Sequence, residues 1–536
     1  RKALKNCTYG DVNAKNYIKE YIRDIIINRY DINEANINRL IPFHSSAHLS
    51  TQDQFEIMLY HYKREHQQKA LEQLIKDYSL ADPKEADHGI RYIITKEDIK
   101  RIYEDIHPIR LNFSDKIAIV TQRIYQKYKG YGVIDEIRDM QIDGISGGVS
   151  GIPPAFRESM KGIDMPRVKE LPYNYDAIWL FFKGKTIHLS FLSFGSEREL
   201  IRICKNIYRY NKPGQLSESN GYKINEMKDG SRIVVARPPF SESWVFFVRK
   251  FDSVQKCELS ELIIDSGKER PIELIKWLIR GSRITAITGS QGTGKTTLLM
   301  AIISYINPAY TLRIQEMAFE LNLRKVYPYR NIVTFRETAT ISGQEGLDLQ
   351  KKTDGTVNIL GEVATAPIAS LMIQMAQVAS LFTLFTHHAK TAEHLINSLR
   401  NNLLQTKVFS NEKVAEQQVA DVVNFDIHLE KDVDGHRYIE RITEIIPVDF
   451  KKSYPKAYQE EKDEGKRMTH FMDTMTEFFE RMTDRQTFET RDLIRFESGR
   501  YVWVNEMSGK SKQAIKQYIS INERIDFDRF VGQVHS

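Results

Sequence analysis

Cysteine is scarce in this chain. The 536 residues hold three, Cys7, Cys204 and Cys257, far apart and without CxxC or zinc-ligand spacing. A disulfide framework has no basis here, and a sparse, odd set fits a reducing compartment. Charge of one sign is also missing. Seventy-seven Lys and Arg face 71 Asp and Glu, a net charge of +6, and no stretch concentrates basic residues. Neither an acidic lipid surface nor a nucleic acid is called for by that balance. No internal repeat is present. The one long uncharged run, "VATAPIASLMIQMAQVASLFTLFT" (363–386), holds Gln374 and Gln377 in its middle, opens on Pro367 and lacks Lys/Arg-rich flanks. It therefore reads as a buried helix (about 367–378) and a buried strand (about 381–386), not as a membrane span.

What is present is an ordinary globular composition, 41% hydrophobic and 28% charged. Its length is too great for one core, and three or four domains are expected. Residues 1–85 read as helical, with Tyr17, Ile18, Tyr21, Ile22 and Ile25 at helical spacing on one face. Residues 79–89, "SLADPKEADHG", break that pattern as a linker would. Residues 86–255 read as an α+β domain. Within it "GISGGVSGIPP" is expected to be a loop, "AIWLFFKGKTIHLSFLSF" two strands joined at Lys-Gly-Lys, and "ERELIRICKNIYRY" a helix burying Leu200, Ile203, Cys204 and Ile207. Residues 256–450 alternate apolar strands with helices, as a parallel α/β sheet does. Residues 451–536, polar and rich in Lys and Glu, read as a helical extension.

The strongest signal is "RITAITGSQGTGKTTLLMAII". Gly289, Ser290, Gln291, Gly292, Thr293, Gly294, Lys295 and Thr296 match G-x-x-x-x-G-K-[ST], between a strand (284–288) and a helix opening at Thr297. Glycines let the backbone wrap a phosphate, and exposed N–H groups with a helix N-terminus favour its charge. Lys295 is placed to reach the β- and γ-phosphates of ATP, and Thr296 to help hold Mg²⁺. A second apolar strand, "VNILGEV", ends on Glu362, an acid expected to be buried. In P-loop enzymes an acid there sits beside Mg²⁺ and polarises the attacking water. The alternative is an acid satisfied by the N–H groups of a helix start.

The order of further motifs resembles the type II/IV secretion ATPase superfamily, and within it most nearly the Flp/Tad pilus assembly (CpaF-like) ATPases. The resemblance covers roughly 128–450. It is carried by "GYGVIDEIRDMQIDGISGGVSG", by "KDGSRIVVARPPF" with "FFVRKF", by "RIQEMAFEL" with Glu316 and Glu320, by "ILGEV", and by "TLFTHHAKTAEHLINSLR". It implies a RecA-like P-loop domain after an α+β domain, joined near 252–258, with ATP in the cleft between them. It also implies a hexamer docked on inner-membrane platform proteins from the cytoplasmic side. By the same resemblance Glu362 is the catalytic carboxylate and a Mg²⁺ neighbour, Glu316 positions water or metal, and His388, rather than His387, senses the γ-phosphate or a neighbouring subunit. Arg232 and Arg249 are then phosphate-contacting arginines. Taken singly, His388 reads as a capping or packing histidine, the two arginines as solvated strand residues, and Glu316 as a surface acid. Four positions in three motifs depart from the family pattern: Met317 for an Asp, Ala364 for an Arg, and Ala379-Ser380 for Gly-His. Each removes a polar or flexible group near the expected site, so a nucleotide-binding scaffold with little hydrolysis is the rival within the same machine. A P-loop enzyme acting on nucleic acid is a second rival, disfavoured by the absence of a basic stripe.

Overall fold

The computed structural model describes residues 2–86, 89–159, 171–211, 213–251, 258–338, 340–433, 435–448, 454–455, 457–483 and 487–532. The expected interdomain joint at 252–258 falls mainly outside them. The chain forms two compact units, Arg1–Ser253 and Val254–Ser536.

In the first unit a short hairpin, Lys84–Ala86 (β1) and Gly89–Arg91 (β2), precedes a seven-stranded sheet. The sheet strands are Ile93–Ile94 (β3), Gly144–Gly147 (β4), Ile178–Phe182 (β5), Lys185–Leu189 (β6), Tyr222–Glu226 (β7), Arg232–Ala236 (β8) and Val245–Arg249 (β9). Their spatial order is β3-β6-β5-β4-β9-β8-β7, antiparallel except for the β3–β6 pair. The β5–β6 turn is the expected one, with Lys183 and Gly184 both at positive φ. Helix Glu197–Ile207 buries the four predicted residues. Its N-cap is Ser196, whose hydroxyl accepts from the Glu199 N–H.

Two expectations for this unit need correction. The segment "GISG" is no loop but β4, buried between β5 and β9. The reason is close packing: a Cβ on Gly147 would lie 2.4 Å from the Phe246 ring. On helix Val12–Asn28 the buried stripe is Ala14, Ile18, Ile22 and Ile26, while Tyr17 and Tyr21 face out at 66% and 57% exposure. Tyrosine spacing mimicked a core face because both residues lie one position off the true i, i+4 row. Lys15 joins the buried side, its ammonium 2.5 Å from Asp135 and 2.6 Å from Asp139. Residues before 85 share one hydrophobic cluster with the sheet, from Cys7 and Ile22 to Ile203 and Val248.

The second unit is a nine-stranded sheet. Its strands are Thr285–Gly289 (β10), Leu312–Glu316 (β11), Ile332–Arg336 (β12), Val357–Leu360 (β13), Phe382–His387 (β14), Phe425–Lys431 (β15), Arg437–Pro447 (β16), Phe488–Glu497 (β17) and Arg500–Trp503 (β18). The order is β12-β11-β13-β14-β10-β15-β16-β17-β18. The first six run parallel, the RecA-like α/β part, and the last four form antiparallel neighbours. The uncharged run 363–386 becomes helix Ala366–Val378 and fully buried β14. Among the described residues no helix is long and apolar enough to cross a membrane. The tail supplies helices Glu464–Thr483, Gly509–Tyr518 and Ile521–Gly532, and also a hairpin that the sequence reading did not foresee. That hairpin turns on Ser498 and Gly499, both at positive φ.

Candidate nucleotide site

β10 is buried at every residue and delivers the loop from the middle of the nine-stranded sheet. Gly289 (φ 137°), Gly292 (φ 81°) and Gly294 (φ 98°) hold backbone angles that side chains oppose. At Gly289 space is short as well, since a Cβ would meet the Leu429 carbonyl oxygen at 2.3 Å. Gly294 caps helix Lys295–Ile302, so the first helical N–H groups open at the loop. Thr293 is buried and its hydroxyl donates to the Ser290 carbonyl at 2.9 Å. Thr296 is half-buried in the first helical turn, and Ser290, Gln291 and Thr297 are exposed.

Lys295 is folded back on this loop. Its ammonium donates to the carbonyls of Gly289 at 2.9 Å and Ser290 at 2.8 Å. Burial lowers its pKa, and the nearby charge of Glu362 opposes that shift. His388 Nδ1 lies 3.5 Å from the ammonium, and its Nε2 lies 3.3 Å from Glu362 Oε1. One polar chain, Lys295–His388–Glu362, thus links the loop to the ends of β13 and β14. Glu362 is not buried: its side chain is 41% exposed. The strand ends at Leu360, two residues before the acid, which lies at the carboxyl end of the parallel strands where βα loops open to solvent.

Glu316, at the end of β11, is the buried acid, 4% exposed. Its Oε1 accepts the N–H groups of Glu320 at 3.0 Å and Leu321 at 2.8 Å, while Oε2 has no partner. Burial raises its pKa to about 8, so it carries a proton at neutral pH. It packs on Gly361, where a Cβ would approach Glu316 Cγ to 3.1 Å. Met317 is 40% exposed and Ala364 is exposed.

His387 is a framework residue. A carbonyl only accepts, so His387 Nδ1–H donates to the Val363 oxygen at 2.8 Å, and Nε2 accepts the Ser398 hydroxyl at 2.9 Å. It is 7% exposed, and burial holds its pKa below the ordinary value. It ties the loop after Glu362 to helix Ala392–Gln405.

No protein-family model matches the chain, and no curated protein matches it. Solved structures do. It is similar to the VirB11 ATPase of the Brucella suis type IV secretion system in complex with sulphate, at 17% identity over 56% of this chain and 89% of that one, TM-score 0.30. It is similar to the Legionella pneumophila ATPase DotB, at 16% identity over 66% and 87%, TM-score 0.40. It is similar to the pilus retraction motor PilT with bound ADP, at 14% identity over 74% and 95%, TM-score 0.41. At such values the likenesses decide neither activity nor partners.

Arg232 and Arg249, in the first unit, stand directly opposite each other on β8 and β9. Arg249 is exposed and Arg232 half-buried. One contact went unforeseen altogether. Arg437, on β16, donates from Nε to the Gly292 carbonyl at 2.9 Å, so the β15–β16 hairpin steadies the phosphate loop. The Asp-Gly pair just before it marks a hairpin turn, yet nothing in the sequence says what that turn approaches.

Proposed function

We propose that this chain is a Mg²⁺-dependent ATPase, the motor subunit of a secretion or pilus-assembly machine of the Flp/Tad kind. It works as a hexamer docked on inner-membrane platform proteins from the cytoplasmic side. The observation that carries the reading is the Lys295–His388–Glu362 chain at the mouth of a fully formed phosphate loop. Incoming β- and γ-phosphates give the ammonium better acceptors than two carbonyls. Thr296 and Glu362 are the residues that would hold Mg²⁺, which would offset the charge of the phosphates. Glu362, half-exposed and held by His388, is free to accept a proton from an attacking water. His388 then reports phosphate occupancy from Lys295 to Glu362. The resemblance adds Glu316, Arg232 and Arg249 to the machinery.

The buried, protonated state of Glu316 favours the scaffold reading at one point, because such a group holds neither metal nor a water to be deprotonated. Steady-state hydrolysis of Mg·ATP by the assembled protein decides. The expectation is turnover by the parent, loss of about 100- to 1000-fold in Glu362→Gln with binding retained, and loss of binding in Lys295→Ala. A parent that binds ATP but turns over no faster than Glu362→Gln makes the chain a scaffold. Light scattering of the nucleotide-bound protein tests the hexamer, and co-sedimentation with vesicles carrying platform proteins tests docking.

A further inference from the structure

β15 and β16 carry another group of ligand-type side chains. His428 and Glu430 are two apart on β15 and share a face. Glu440 comes from β16, brought near by the register shift between His428 and Leu429. One atom of each residue lies within 4.8 Å of the others. The imidazole is 1% exposed, while the two carboxylates are 36% and 41% exposed, so a fixed ligand is paired with an open path to solvent.

The distances suit a shared ion. His428 Nε2 is 3.3 Å from Glu430 Oε1 and 3.8 Å from Glu440 Oε2. The closer contact is also within hydrogen-bond reach. Two ligands on one zinc, each bonded at about 2.0–2.1 Å in a tetrahedron, stand about 3.3–3.4 Å apart. The other ring nitrogen is spoken for. Thr288 donates its hydroxyl to Asp426 at 2.6 Å, so its lone pair takes the Nδ1–H of His428 at 2.8 Å. Nε2 is left as a bare lone pair facing two carboxylates. Three ligand-type atoms converge there, the Nε2–Glu430 contact standing as a hydrogen bond only where Nε2 carries the proton, and a carboxylate–hydroxyl chain fixes the ring from behind, as outer-shell partners of metal-bound histidines do. Arg441 pairs with Glu440 Oε2, the same oxygen that faces His428, so His428 and Glu430 are the firmer pair.

We propose that His428, Glu430 and Glu440 form a divalent transition-metal site. One imidazole and two carboxylates suit Zn²⁺ better than Mg²⁺, which prefers oxygen ligands throughout. The site clamps β15 to β16 beside the loop-bearing strand, since His428 pairs in register with Thr288.

The test uses the full chain, stripped with a chelator and dialysed against ZnCl₂ without nucleotide or Mg²⁺. Bound zinc is counted by mass spectrometry and Tm is measured in parallel. The parent should hold one zinc more than a Glu430→Gln/Glu440→Gln double variant, and zinc should raise Tm in the parent alone. His428→Gln should lose the same equivalent. Lys295→Ala should keep it, which separates this site from the nucleotide site. Both glutamates are half-exposed, and circular dichroism checks that the double variant keeps its fold. Equal zinc content and equal Tm shifts in parent and double variant would overturn the proposal.

Discussion

Glu316 is the residue whose chemistry departs most from its place in a motif. Its folded pKa is about 8 against an ordinary 4.5. Below pH 4.5 it is protonated folded or unfolded, and its contribution to stability is fully present. As pH rises from 4.5 through 8 the unfolded chain sheds the proton while the folded chain retains it, so stability falls. Glu316→Gln mimics the neutral acid. Thermal melts at pH 5 and pH 9 should therefore differ less in the variant than in the parent. Lys15 gives the opposite case in the first unit. It bridges two acids, and the pKa of Asp139 is depressed mainly by Lys15 and Arg138, against the opposing effect of burial. That contribution is present above the ordinary carboxylate range and is lost as pH falls below it. Lys15→Met leaves Asp139 to Arg138 but Asp135 with only the Gln122 amide and the Tyr131 N–H, and should cost about 3–5 kcal/mol in urea unfolding. The place of Lys295 after a strand-borne glycine loop was legible because that spacing is tied to a backbone shape, whereas Glu362 and His388 were singled out by the strand each follows and by the order of motifs. The hydrogen-bond roles of His387 and Arg437 were not, because they depend on atoms 24 and 145 positions away.

Among the elements, those with clear punctuation were legible: the Lys-Gly turn, the capped helix at 197–207, and the strand-loop-helix of the phosphate loop. β4 was misread because glycines signal turns locally, and only its neighbours' bulk reveals that they serve close packing. The 488–503 hairpin was missed although "FETRDLIRFESGRYVW" alternates and turns at Ser-Gly. Two substitutions probe elements. Gly289→Ala forces a Cβ into the Leu429 carbonyl; melting should drop by several degrees, and nucleotide binding, followed by fluorescence of a labelled analogue, should be lost. Ser398→Ala leaves the His387 Nε2 acceptor buried and unpaired, at about 1–3 kcal/mol. Chemical denaturation should show that loss, and turnover should fall with it as the loop after Glu362 loosens.

For the whole molecule, composition and length gave several domains, and contacts give two units. Residues 451–536 read as an extension because they are polar, yet β17 pairs along β16 and Phe527 packs on Trp277 with ring centroids 5.4 Å apart. Truncation after residue 450 should therefore leave the second unit insoluble or molten, with near-ultraviolet circular dichroism lost. A soluble, ATP-binding 1–450 chain would show that the tail is dispensable to the fold.

The position of β17 also bears on synthesis. β16 ends at Pro447 and its partner spans Phe488–Glu497. At about 5–20 residues per second the ribosome needs roughly 3–10 s to make the 50 residues from 448 through Glu497. During that interval the growing chain presents an unpaired strand edge, the kind that recruits other chains. Polysomes translating this message would bring several such edges close together, and holdase chaperones are the natural guests for that interval.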